Sequence, residues 1–98
     1  MSYRLLIKPE AELDLEDTYN WYEKQNRGLG SEFIRVVDAS LANIQRNPLA
    51  YPLIYKQVRR KLVRRFPYAI FYLVNQDTIA IIAVFHAQRA PKQWQKRV

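Results

Sequence analysis

The chain has no cysteine. Disulfides, a thiol nucleophile and thiolate-bound zinc or iron–sulfur groups are therefore excluded. Histidine is nearly missing as well. His86 stands alone, too little for a His-rich metal site, and neither metal nor organic cofactor is expected. Two glycines in 98 residues leave no room for a Gly-rich phosphate loop or a long flexible linker. The longest apolar run, Thr78 to Phe85, falls far short of a bilayer span. The opening MSYRLLIKPE has no signal-peptide core, so a cytoplasmic chain with no membrane partner is expected. The last scarcity is of acid in the second part. Residues 39–98 hold eleven basic residues against one acidic, Asp77, a balance of +10, whereas residues 1–38 hold five against eight, a balance of −3. Charge segregated in this way attracts an acidic protein, nucleic acid or anionic lipid. The plainer alternative is a basic, solvated surface without a special partner.

What is present suits a globular chain: 49% hydrophobic and 26% charged residues. The length suits one domain over residues 1–98. Tyr3 to Lys8 is β-prone and predicts a first strand. Pro9, with Glu10 and Glu12 behind it, suits the start of a helix to about Gln25. Ala11, Leu15, Tyr19 and Tyr22 form its apolar stripe. After a turn at 26–28, a second helix starts near Gly30 or Ser31, with Ser31 as N-cap. Phe33, Val37, Leu41 and Ile44 are its buried face, and Pro48 follows its end. Residues 49–57 read as a loop. Strands are then expected at Val58–Phe66, Tyr68–Val74 and Thr78–His86, joined by connections short enough to require antiparallel hairpins. The basic tail, 87–98, carries Trp94 and a short helical turn after Pro91. The order β-α-α-β-β-β implies an α+β fold, a helical hairpin packed on a small, mostly antiparallel sheet. No helix remains for the other sheet face, which must be solvated or covered by the tail or a partner.

VRRKLVRRFPY, residues 58–68, is the densest chemical signal. Strand alternation places Arg60, Leu62, Arg64 and Phe66 on one side and Arg59, Lys61, Val63 and Arg65 on the other. The arginine strand is expected to lie open on the helix-free face. Its guanidinium groups suit phosphate or carboxylate; protection of an edge strand by charge is the plainer account. Tyr68 and Tyr72 share one face of the next strand, where aromatics are usually core. His86 is placed on the face of Ala80, Ile82 and Val84, with Arg89 three residues on. Such a pair suits general acid–base cleavage of RNA, or simply a hydrogen-bonded histidine that fixes the tail. The carboxylates of the first helix, Asp14 and Asp17 among them, read as a solvated face.

Four stretches in this order resemble the RelE/ParE toxin superfamily, also described as plasmid-stabilisation proteins: KPEAELDLEDTYNWY, NPLAYP, VRRKLVRRFPYAIFY and IAVFHAQRAPKQW. Together they span most of the chain. The resemblance implies the toxin of a type II toxin–antitoxin module, blocked by a cognate antitoxin with an acidic or amphipathic C-terminal segment. It also implies contact residues among Arg59, Arg60, Arg64, Arg65, Tyr68, Tyr72, Arg89 and Trp94. ParE-like members inhibit DNA gyrase; RelE-like members are metal-independent, ribosome-dependent mRNA endonucleases. Ala69 stands where cleaving members have an arginine, which favours the ParE-like reading. Were the chain RelE-like, Arg64, His86 and Arg89 would be the catalytic candidates. A nucleic-acid-binding domain without toxicity is the third reading.

Overall fold

The computed structural model describes residues 2–89 and 91–98. Met1 and Ala90, the latter within the expected tail, lie outside the described residues. The elements are β1 (Arg4–Ile7), α1 (Pro9–Gln25), α2 (Leu29–Arg46), a 3-10 turn (Pro48–Ala50), β2 (Leu53–Tyr55), β3 (Val58–Leu62), β4 (Tyr68–Asn75), β5 (Thr78–His86) and α3 (Pro91–Gln95). One mixed sheet runs β1-β5-β4-β3-β2; β1 is parallel to β5 and every other pair is antiparallel. The fold is α+β, as the element pattern implied. One strand is additional: β2 forms inside the expected 49–57 loop, pairing Leu53 with Arg59 and Tyr55 with Val58.

The helical hairpin covers one sheet face. Ala11 and Tyr22 of α1 meet Phe33, Val37, Leu41 and Ile44 of α2 over Ile70, Tyr72, Ile79 and Ile81. At Gly30 the helices approach closely. A Cβ there would stand 2.5 Å from the Tyr19 carbonyl oxygen, so the contact requires glycine. The α2 start differs from expectation. Gly28, in the left-handed region at φ 88°, is the N-cap, and Ser31 lies inside the helix. The capping carboxylate comes from α1. Glu23 accepts the N–H groups of Gly28 (3.2 Å), Gly30 (2.8 Å) and Ser31 (3.3 Å). The Gly28 bond foremost, then those of Gly30 and Ser31, holds the Glu23 carboxyl below its ordinary pKa.

The arginine strand stops early. β3 ends at Leu62 rather than at Phe66. Phe66 instead drops between Tyr22 and Phe33, at ring separations of 5.0 and 5.2 Å, and this draws the chain out of the ladder. Val63 N–H bonds back to the Tyr68 carbonyl (2.9 Å), and Arg65 takes φ 70° in the resulting turn. Alternation therefore fails after Leu62, and Val63 and Phe66 are both buried.

The opposite face is not bare. α3 lies there, and Trp94 stacks on Phe71 at 4.3 Å and 20° within a second cluster of Val58, Ala69, Ile82 and Ala83. β5 also carries a bulge. Phe71 pairs with Ala83 and Tyr72 with Ile81, so Ile82 is one residue too many. Ile79 and Ile81 face the hairpin, Ile82 and Ala83 both face α3, and Val84 faces the hairpin again. His86, paired with Tyr68, therefore follows Val84 and not Ala80 and Ile82 as strict alternation implied.

β1 ends at Ile7, leaving the outer half of β5 with one free edge. Asp14 and Arg97 occupy it. Asp14 accepts the Val84 N–H (3.0 Å) and both Arg97 guanidinium nitrogens (2.7 and 3.1 Å), while Arg97 also donates to the Ile82 carbonyl (2.9 Å). The pair does what a neighbouring strand would do, satisfying one donor and one acceptor. Asp14 is thus buried, contrary to its reading as part of a solvated face.

Candidate functional site: two clefts on the hairpin side

The first cleft lies between α1 and the outer ends of β4 and β5. Two adjoining cavities of about 270 and 410 Å³ share Asp17, Thr18, Tyr68, His86 and Arg89. The β5 bulge aims His86 into this space, and Tyr68 meets its ring edge-on at 5.7 Å. Gln88 N–H donates to His86 Nδ1 (3.2 Å), which leaves the neutral ring to carry its proton on Nε2. Trp21, half-exposed at 54%, borders the second cavity. Burial, with the neighbouring Tyr68 as a lesser cause, pushes the Tyr22 hydroxyl above its ordinary pKa. The cleft offers one imidazole, one guanidinium and aromatic walls.

The second cleft lies between α2 and β3 and encloses about 530 Å³. Arg35, Lys61, Arg64 and Arg65 line it. Arg64 and Arg65, on opposite sides in a strand, come together because the ladder ends before them. One carboxylate answers them: Glu32 meets Arg65 at 3.1 Å.

The sequence-derived candidates therefore divide. His86, Arg89 and Tyr68 share the first cleft; Arg64 and Arg65 share the second. The catalytic set Arg64, His86 and Arg89 is split between the two. Arg59 is used internally, donating to the carbonyls of Tyr51 (2.7 Å) and Leu49 (3.3 Å). Arg60 pairs with Phe71 and so projects on the α3 side. Tyr72 is a core residue rather than a contact residue. It is fully buried and its hydroxyl donates to the Pro48 carbonyl (2.6 Å), and burial pushes its pKa up to about 12. Trp94, also expected to touch a partner, is 4% exposed and faces Phe71. The arginines accordingly do not lie open on a helix-free face. Part of that face is sealed by Trp94, and Arg64 and Arg65 lie beside α2.

Sequence reasoning missed Arg35, Lys61 and Trp21 as cleft residues, and Asp14 with Arg97 as a structural pair. Lys61 carried a usable signal, since it belongs to the basic excess of residues 39–98, whereas Arg35 lies in the acidic first part. Asp14 carried none, because its partner is 83 residues away. No group of three or more His, Asp or Glu side chains is placed to hold a metal among the described residues. Nor is any described helix long and apolar enough to cross a membrane.

Residues 5–91 match the family of the ParE toxin of the type II toxin–antitoxin system parDE. The chain belongs to that family and is a toxin of the type II class. Its fold is similar to a chain of the chromosomal ParDE system from P. aeruginosa, with TM-score 0.77 and 17% identity over 86% of this chain and 95% of that one. It is also similar to a mutant of the E. coli toxin RelE in the free state, with TM-score 0.75 and 19% identity over 100% of this chain and 99% of that one. A third likeness is to the toxin–antitoxin complex RelBE2 from Mycobacterium tuberculosis, with TM-score 0.59 and 23% identity over 88% of this chain and 99% of that one. At these identities the likeness concerns the fold. No curated protein matches the chain in sequence.

Proposed function

We propose that the protein arrests growth by inhibiting DNA gyrase and is neutralised by a cognate antitoxin. The observation that carries the choice of target is the dispersal of the cleavage candidates. Arg64 lies in one cleft and His86 with Arg89 in the other. At position 69, where an arginine would serve cleavage, Ala69 is fully buried in the cluster around Trp94 and Phe71. A phosphoryl-transfer site needs cations converging on one phosphate, and this arrangement separates them. Supercoiling by purified gyrase tests the reading. Addition of the toxin is expected to abolish it, and unchanged supercoiling at saturating toxin removes the proposal. The antitoxin is tested separately, by growth rescue on co-expression of the adjacent reading frame.

His86 supports a second reading, ribosome-dependent mRNA cleavage. An imidazole beside Arg89 in an accessible cleft has the elements of acid–base chemistry. On that reading His86→Ala or Arg89→Ala relieves growth arrest while leaving antitoxin binding intact. Full toxicity in both variants eliminates it.

A further inference from the structure

The cleft between α1 and the outer ends of β4 and β5 sets an acceptor against donors across a space walled by aromatic rings. Asp17 and Trp21 stand one turn apart on α1, so the carboxylate and the indole are neighbours. His86 and Arg89 come from the end of β5 and the segment beyond it. The neutral His86 ring presents its Nε2–H, because Nδ1 accepts the Gln88 N–H at 3.2 Å. Arg89 adds a planar fork of donors. Tyr68 borders the same space, edge-on to His86 at 5.7 Å, and Trp21 leaves 54% of its surface exposed.

The cleft is also close to neutral. Arg97 already answers Asp14 at 2.7 Å, which leaves Asp17 against Arg89. A nucleic-acid strand needs cations along its backbone; Arg35, Lys61, Arg64 and Arg65 line the other cleft instead. The space, about 270 and about 410 Å³ in its two parts, suits a small ligand.

We propose that this cleft binds the guanine base of a mononucleotide, its ring against Trp21 and Tyr68. Guanine has two adjacent donors, N1–H and the 2-amino group, and two adjacent acceptors, O6 and N7. The donors fit the Asp17 carboxylate, and the acceptors fit His86 and Arg89. Adenine places a lone pair at N1, against the carboxylate, and the pyrimidines have no adjacent pair of donors. Stacking adds affinity for any base, so the choice among bases falls to Asp17. Neither reading of the toxin's target requires this ligand.

Calorimetric titration of the intact toxin with GMP tests the assignment, with tryptophan fluorescence as a second readout. Saturable binding with quenching of Trp21 is expected. IMP, which lacks the 2-amino group, should bind roughly tenfold more weakly, and AMP more weakly still. Asp17→Asn should lose GMP and gain XMP, whose 2-oxo group accepts a hydrogen bond from the new amide. Such an exchange of preference separates recognition by Asp17 from damage to the fold. Trp21→Ala should weaken binding and abolish the quenching, with thermal melting of both variants as the check on folding. No saturation with GMP, equal affinity for IMP or AMP, or an unchanged preference in Asp17→Asn overturns the proposal. So does tighter binding of a guanine-containing single-stranded RNA oligomer than of GMP, which assigns the cleft to a strand.

Discussion

One face of the sheet rests on two helices of 17 and 18 residues; the other is closed by a helix of five residues and a single tryptophan. The hairpin face buries residues from both helices, from β4 and β5 and from the turn that carries Val63 and Phe66, so its stability is spread over many contacts. The tail face depends on Trp94 against Phe71 and on Arg97 against Asp14. Redundancy differs more than chemistry does. A loss on the hairpin side is shared by the whole fold, whereas a loss on the tail side frees one segment and one strand edge.

Five substitutions sharpen this contrast. The largest effects are expected from aromatic truncation, Phe33→Ala or Trp94→Ala, at roughly 3–5 kcal/mol each. Urea unfolding of Phe33→Ala should show a global loss. Trp94→Ala should first expose the amides of α3 and the outer part of β5 to hydrogen exchange, and equal loss of protection throughout the chain would break the comparison. Asp14→Ala comes next, at about 2–3 kcal/mol, because it strands the Val84 N–H and leaves Arg97 without its counter-charge. Its signature is fast exchange at Val84 with the hairpin core still protected.

Tyr72→Phe is expected to cost about 1 kcal/mol, the hydrogen bond to the Pro48 carbonyl. Its pH dependence has a definite sign. The Tyr72 hydroxyl titrates near 12 in the fold and near 10 when unfolded, so its contribution is complete below pH 10 and is lost as pH rises toward 12. Denaturation between those limits should flatten in Tyr72→Phe; an unchanged slope assigns the alkaline loss elsewhere. Glu23→Gln is the mildest. The carboxylate holds the α2 start from above its unfolded pKa, and that support fades as pH falls through its lowered folded value. Melting temperature measured through the acid range should therefore fall less steeply in the variant than in the parent.

The helices were legible because Phe33, Val37, Leu41 and Ile44 repeat at helical spacing, and a stripe of that kind has only one stable partner surface. The three long strands were legible for similar reasons, through apolar content and short turns. β2 was not, since its three residues lack a period and gain strand character only by pairing with β3. The candidate sites were less legible than the fold. Reading Arg59 to Arg65 as one alternating strand failed at Val63, where burial of Phe66 outweighed continued pairing. Asp14 was indistinguishable from its acidic neighbours on α1, because what sets it apart is an arginine from the far end of the chain. The resemblance made Trp94 and Tyr72 contact residues, although Tyr72 shares a strand face where aromatics are usually core; both are buried.

The surplus residue in β5 has a consequence for the histidine. Side chains along a strand alternate with a period of two, and a bulge absorbs one extra residue so that the facing beyond it is kept. Ile82 is the residue absorbed, on the same face as Ala83, and this leaves the imidazole beside Tyr68. The same residues paired without the bulge would turn the imidazole toward the tryptophan and offer phenylalanine to the cleft in its place. Two such toxins, identical when written out, would carry their one imidazole on opposite walls of the molecule.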